Sequence, residues 1–421
     1  MTSEQAYRER LEADLVRWQA DGVITSATAA AIRRRLGPIG EGITITTVVA
    51  IVGGLLIAAS ALAFVAANWS AIARPTRLGL LLAGIAAAYV VGGLFDRGGR
   101  TVLADLSTAV GAIIFGAAIA LVGQMYHLAE DFAAGLLLWS CGVMLAAILT
   151  GSRGALAVAL AAGCIWSATR AFELSDVHVP FVALWLVAAS LALAWNAPVA
   201  RHLVSIAAVA WWLLCAIGLG EARSADPLLA FSAGAASLLG CGLVLASSGS
   251  DSSRAFGLTL SNYGAMSLAV AVAGMAANLF SAVSFLSTSP WIIGNGGAGL
   301  VLALAAAAIG RRTGPLLAAV AIGCAMVVAT GWFEPTSFDE PWHNYALALA
   351  AMVSLVVSGM LDDVRARAVA GWIGLAAVIA AITWTVRGSL IGRAAFLAVA
   401  GAVAIGLAGV LGRIWRRERL Q

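Results

Sequence analysis

Apolar runs of 17 to 23 residues, separated by short polar breaks, fill the chain from residue 46 onward. They read as Thr46–Ala67, Leu78–Phe95, Leu106–Gly123, Phe132–Thr150, Ala155–Phe172, Val179–Trp195 and Leu203–Leu219. Then come Leu228–Ala246, Leu258–Phe280, Ile292–Ile309, Leu316–Phe333, Tyr345–Leu361, Ala368–Thr385 and Ala394–Leu411. A helix rises about 1.5 Å per residue, so about 20 residues cross a hydrocarbon core of about 30 Å. The pattern predicts an all-α polytopic bundle of about fourteen transmembrane spans.

Residues 1–41 have another pattern. Tyr7, Leu11, Leu15 and Trp18 recur at helical steps after a Thr2/Gln5 capping box. Gly22 suits a left-handed stop, Ser26 can cap a second helix carrying Ile32 and Leu36, and Gly37-Pro38 ends it. This is a short helical hairpin whose stripe of Tyr7, Leu11, Leu15, Trp18 and Ile32 is expected to be buried. It is too small for a core of its own. The expected domains are a cytosolic hairpin, 1–41, and a transmembrane helical domain, 42–421.

Composition agrees with a lipid solvent. The chain is 62% hydrophobic and 11% charged, with a mean hydropathy of +0.96, whereas a water-soluble domain carries about 25% charged residues. All 25 basic residues are arginine. With the N-terminus in the cytoplasm, 19 arginines fall inside and six outside, so both termini are expected to be cytoplasmic. The basic pI therefore reflects cytoplasmic loops, and no nucleic-acid partner is expected. The five cysteines lie within apolar spans without metal-ligand spacing and read as small hydrophobes. No metal or cofactor is expected.

"AANWSA" at 66–71 echoes "AANLFSA" at 276–282, and the breaks that follow recur at a similar offset. This allows six spans, two linking spans and six more, as parallel repeats over 43–200 and 255–415.

Polar residues at span ends are the candidates for function. Asn68, Trp69 and Arg74 stand between the first two spans. Gln124, Tyr126, His127, Glu130 and Asp131 follow the third, in "GQMYHLAED". A third group lies in "FEPTSFDEPWHNY", residues 333–345. Histidine beside carboxylate suits a proton path, although a hydrated acidic loop is the plainer reading. Nucleotide-binding, serine-hydrolase and zinc-protease motifs are absent.

"LVRWQADGVIT", "AANWSAIARPTRLGLLL" and "FGAAIALVGQMYHLAEDF" resemble a bacterial membrane-protein family, domain of unknown function 2157, over roughly residues 5 to 150. The resemblance implies an inner-membrane protein with a cytosolic N-terminal hairpin, and marks Asn68, Trp69, Gln124, Tyr126 and His127. It supplies no activity. The leading expectation is permease-like or flippase-like handling of a small molecule or lipid. The alternatives are a scaffold or sensor acting through the hairpin on a protein partner, and an enzyme on a lipid-linked substrate using His127 with Glu130 or Asp131.

The arginine asymmetry is testable: topology reporters fused after Gln421 and within residues 334–341 should report opposite sides of the membrane. Reports from the same side would show that the span count or the orientation is wrong.

Overall fold

A computed structural model describes residues 3–36, 49, 52–53, 56, 60, 63, 72–126, 131–221, 226–247, 249–277, 290–330 and 342–385. Among these residues the secondary structure is helical. Contacts divide the chain into two compact units, Met1–Arg77 and Leu78–Gln421.

In the first unit, α1 (Ser3–Ala20) and α2 (Ser26–Leu36) form the expected hairpin. Gly22 adopts the left-handed conformation at the turn, with φ of +71°. The cap of α2 falls one residue earlier than the sequence reading places it. Thr25 Oγ1 accepts the Thr28 amide at 3.2 Å, so Ser26 is the first helical residue. Leu15 is fully buried, and Leu11 and Ile32 are half-buried, but Trp18 is exposed. The stripe is therefore narrower than its spacing predicts, because two short helices leave the far side of an indole uncovered.

The second unit contains α3 (Arg74–Arg97, whose first turn belongs to the first unit), α4 (Thr101–Tyr126), α5 (Phe132–Thr150), α6 (Arg153–Leu174), α7 (Phe181–Trp195) and α8 (Pro198–Glu221). It continues with α9 (Pro227–Ala246), α10 (Asp251–Ala276), α11 (Pro290–Gly310), α12 (Thr313–Ala329), α13 (Trp342–Leu361) and α14 (Arg365–Thr385). Helices thus cover twelve of the fourteen apolar runs. The first run is described only at scattered residues, and the last lies outside the described residues. Ten described helices are long and apolar enough to cross a membrane, and α7 and α12 are shorter. At 15 residues, α7 reaches only about 22 Å, less than a hydrocarbon core of about 30 Å. The protein is a polytopic transmembrane helix bundle.

Side-chain and terminal chemistry sets the helix boundaries. Asp131 caps α5 through the Ala134 amide at 3.0 Å, and Gly151 ends that helix in the left-handed conformation. Ser152 then caps α6 through the Ala155 amide. Asp226 accepts the Leu228 and Leu229 amides, with Pro227 opening α9.

Glycines sit where helices touch along their backbones. A Cβ at Gly242, Gly257 or Gly264 would lie 2.3–2.5 Å from the backbone nitrogen of Ser261, Ala246 or Leu239, respectively. As residue numbers rise on α10 they fall on α9, so these contacts define an antiparallel pair in van der Waals contact. Gly240 and Gly299 bring α11 equally close to α9. Helix α9 packs on α8, α10, α11 and α12 and carries the densest run of buried residues. Gly359 and Gly371 join α13 to α14 in the same manner, with Ala368 and Val356 as the opposing backbones. Lipid tails are as apolar as leucine, so close backbone packing replaces the hydrophobic drive between helices.

Indole groups inside the bundle find acceptors on neighbouring helices. Trp139 Nε1 donates to the Ala112 carbonyl and Trp185 Nε1 to that of Val204, each at 2.9 Å. Where α13 turns into α14, Arg367 is 1% exposed and donates to Asp362 at 2.6 Å and Ser358 at 3.1 Å. The Asp362 carboxylate lies against Gly314, where a Cβ would come within 2.2 Å of it. Removing one partner of such a buried pair costs about 3–5 kcal/mol.

The glycine contacts make a paired prediction. Gly257→Ala should destabilise the detergent-solubilised protein by about 1–3 kcal/mol, as overpacking does. Gly323→Ala, with nothing within 4 Å of the added methyl, should be neutral or stabilising by up to about 1 kcal/mol. Thermal unfolding of both variants checks this; equal effects would show that the α9–α10 contact is not close-packed.

Candidate functional site

Gln124 and Tyr126 close α4, both exposed on either side of buried Met125. Asp131 begins α5. Arg74 is exposed at the start of α3, in the first unit. Asn68, Trp69, His127 and Glu130 lie outside the described residues.

What Asp131 meets is a cation from α6. Arg170 Nη2 donates to Asp131 Oδ1 at 3.0 Å and Oδ2 at 2.9 Å, while its Nη1 donates to Glu173 Oε2 at 2.8 Å. All three side chains are substantially solvated, so water and salt screen both ion pairs and each adds little to stability. The Ala134 amide first, then Arg170 against some opposing desolvation, holds the Asp131 carboxyl below the usual carboxylate range. Asp131 is a fixed anion at neutral pH, suited to capping and pairing rather than to donating a proton.

Behind this ion network, the α6–α7 connection turns His178 inward. His178 is buried, with its ring edge-on to Trp166 at 4.7 Å between centroids. Its Nδ1 shares a hydrogen bond with Ser167 Oγ at 3.1 Å, and Ser167 also accepts from Trp211 Nε1 at 2.8 Å. Phe181 stacks on Trp211 at 5.2 Å. Burial foremost, and then the charge of Arg170, pushes the His178 pKa down, so the imidazole is neutral at physiological pH. On the same side of the chain, Asp226 is buried while capping α9, and burial raises its pKa against the two amides it accepts.

The opposite helix ends hold a polar cleft. A pocket of about 330 Å³ lies between the end of α3, the start of α4 and the α5–α6 turn. Tyr89, Gly92, Gly93 and Asp96 line it from α3, Thr101, Ala104, Asp105 and Thr108 from α4, and Thr150, Gly151, Ser152 and Arg153 from the turn. Asp105 Oδ1 accepts Ser152 Oγ at 3.0 Å and the Arg153 amide at 2.8 Å, and the Ser152 hydroxyl also meets that of Thr108. Two glycines permit the approach. A Cβ at Gly154 would lie 2.0 Å from the Asp105 carbonyl oxygen, and one at Gly92 would lie 3.0 Å from Thr108 Cγ2.

This pocket escapes the sequence reading because Asp105 sits one residue before an apolar run and the serine and glycines of the α5–α6 turn look like ordinary loop. The available signal was Asp105 and Thr108 on one helical face together with Thr150-Gly151-Ser152. Among the described residues, no three His, Cys, Asp or Glu side chains assemble as a metal-binding group.

His178 yields a pH prediction. Its folded pKa lies below the unfolded value of about 6.5, so the stability tied to the neutral ring is fully present above the unfolded value and is lost as pH falls from there through the folded one. Thermal unfolding between pH 7.5 and 5 should show this decline, and His178→Gln should flatten it. An unchanged slope in the variant would remove His178 as its origin.

No curated protein and no solved structure matches the chain. Residues 16–156, which carry the Asp105 pocket, do match a family model, that of the predicted membrane proteins DUF2157, and this part of the chain is similar to that family.

Proposed function

We propose that the protein binds a small polar molecule or a lipid headgroup in the Asp105 pocket and moves it across a bacterial inner membrane, as a permease or flippase. The observation that carries this reading is the pocket itself. A volume of about 330 Å³ lined by carboxylates and hydroxyls is unusual at the edge of a lipid-embedded bundle, where polar groups are costly unless they serve a solute or pair with one another. The described arginines support a cytoplasmic position for this end, since Arg97, Arg100, Arg153, Arg254, Arg311, Arg312 and Arg365 gather there.

A scaffold role for the hairpin is the second reading, supported by the exposed apolar side chains of Val16, Trp18 and Val23. The enzyme reading loses Asp131 as an acid, because Arg170 and the α5 amide keep it ionised.

Flipping is measurable with purified full-length protein in vesicles containing fluorescently tagged phosphatidylethanolamine. Dithionite added outside bleaches about half the label in protein-free vesicles. With the protein present, the bleached fraction should rise well above half, and a Gly154→Leu variant that closes the pocket should return it toward half. Uptake of a trapped panel of small amines tests the permease form. No increase in either assay would remove transport and leave the scaffold reading.

A further inference from the structure

The pocket's hydrogen-bond accounting points to its ligand, resting on the reading of the Asp105 pocket as the binding site. Most of the hydroxyl protons there are already committed. Thr150 Oγ1 donates to the Ala146 carbonyl at 2.8 Å, and Ser152 Oγ donates to Asp105 Oδ1. The Thr108 proton goes to the carbonyls of Ala104 or Asp105, or to Ser152. The unfilled capacity is that of acceptors. Asp105 Oδ2 accepts no hydrogen bond from a described residue, and Asp96 makes no ion pair with one. A ligand that complements two carboxylates must bring several N–H donors and positive charge, which an ammonium group does with three donors.

Two further residues sharpen the class. Tyr89 lines the pocket with an aromatic ring, a surface that attracts cations. That ring is held against α4, since a Cβ at Gly111 would lie 3.1 Å from Tyr89 Cε2. Arg153 lines the same space, and its guanidinium suits a phosphate or carboxylate carried by the same molecule. Arg97 and Arg100 lie near in sequence but do not line the pocket. We infer that the Asp105 pocket binds a small zwitterion, with its ammonium group between Asp96 and Asp105 and its anionic group at Arg153. Phosphoethanolamine has this chemistry, either free or as a lipid headgroup.

Calorimetric titration of the full-length protein in detergent tests this with O-phosphoethanolamine, ethanolamine and glycerol 3-phosphate. O-phosphoethanolamine should bind saturably and most tightly, ethanolamine more weakly, and glycerol 3-phosphate not at all. Asp96→Asn should weaken amine binding about tenfold or more; its exposed position makes it safe for folding. Asp105→Asn should do the same while keeping an oxygen to accept Ser152 and the Arg153 amide. Arg153→Gln should weaken O-phosphoethanolamine and leave ethanolamine unchanged. In phosphatidylethanolamine nanodiscs, the soluble probe should bind less tightly than in phosphatidylglycerol nanodiscs if the headgroup is the source, and equally if the free molecule is. Absence of saturable amine binding, or binding unchanged in both aspartate variants, would overturn the inference. Binding without lipid flipping or uptake would leave it standing and remove transport, whereas flipping with no amine binding would do the reverse.

Discussion

Direct backbone contact between helices is the constraint on which this bundle depends. Inside a membrane, two apolar helix faces gain nothing by leaving lipid for each other unless they pack more closely than lipid packs on either. Gly242, Gly257 and Gly264 let α9 and α10 meet along about two helical turns, and Gly240 with Gly299 adds α11 to the same core. Leucine at any of these places would separate the pair and forfeit the dispersion contacts that hold it. The many alanines buried on α6, α9 and α10 serve the same economy of volume.

Polar groups follow a complementary rule, since each must find a partner where water is scarce. Trp139, Trp185 and Trp211 donate to neighbouring helices, and Arg367 is enclosed with Asp362 and Ser358. Asp131 and Asp226 finish helix starts. These interactions fix where helices begin and how they are rotated, and they consume most of the polar residues that a search for chemistry would single out. Asp131 illustrates the point: conspicuous in sequence, it is held by Arg170 and the α5 amide.

The Asp105 pocket differs because only part of its polar capacity is consumed. Asp105 uses one oxygen to hold the α5–α6 turn and retains the other. The same residue therefore ties the pocket wall together and presents a charge to its interior. Gly92 and Gly154 contribute by absence, since side chains there would fill or prise apart the contacts that frame the space.

Hydrophobic run lengths by themselves determined that the chain is a polytopic helical membrane protein and located most of its helices, because the thickness of a bilayer acts on each segment separately. The Phe132–Thr150 helix coincides with its apolar run, and Gly22 marks the hairpin turn as its conformational freedom foretells. Tertiary structure decided what each polar residue meets. Arg170 lies 39 positions from Asp131, and Asp105 lies 47 from Ser152; no local pattern encodes either pairing. It also decided which glycines are contacts and which are open: Gly257 and Gly323 look alike in sequence, yet one touches a neighbouring backbone and the other touches nothing. Helix formation is read from neighbours along the chain, whereas helix rotation and partner choice depend on surfaces brought together from far apart, so the bundle was legible and the pocket was not.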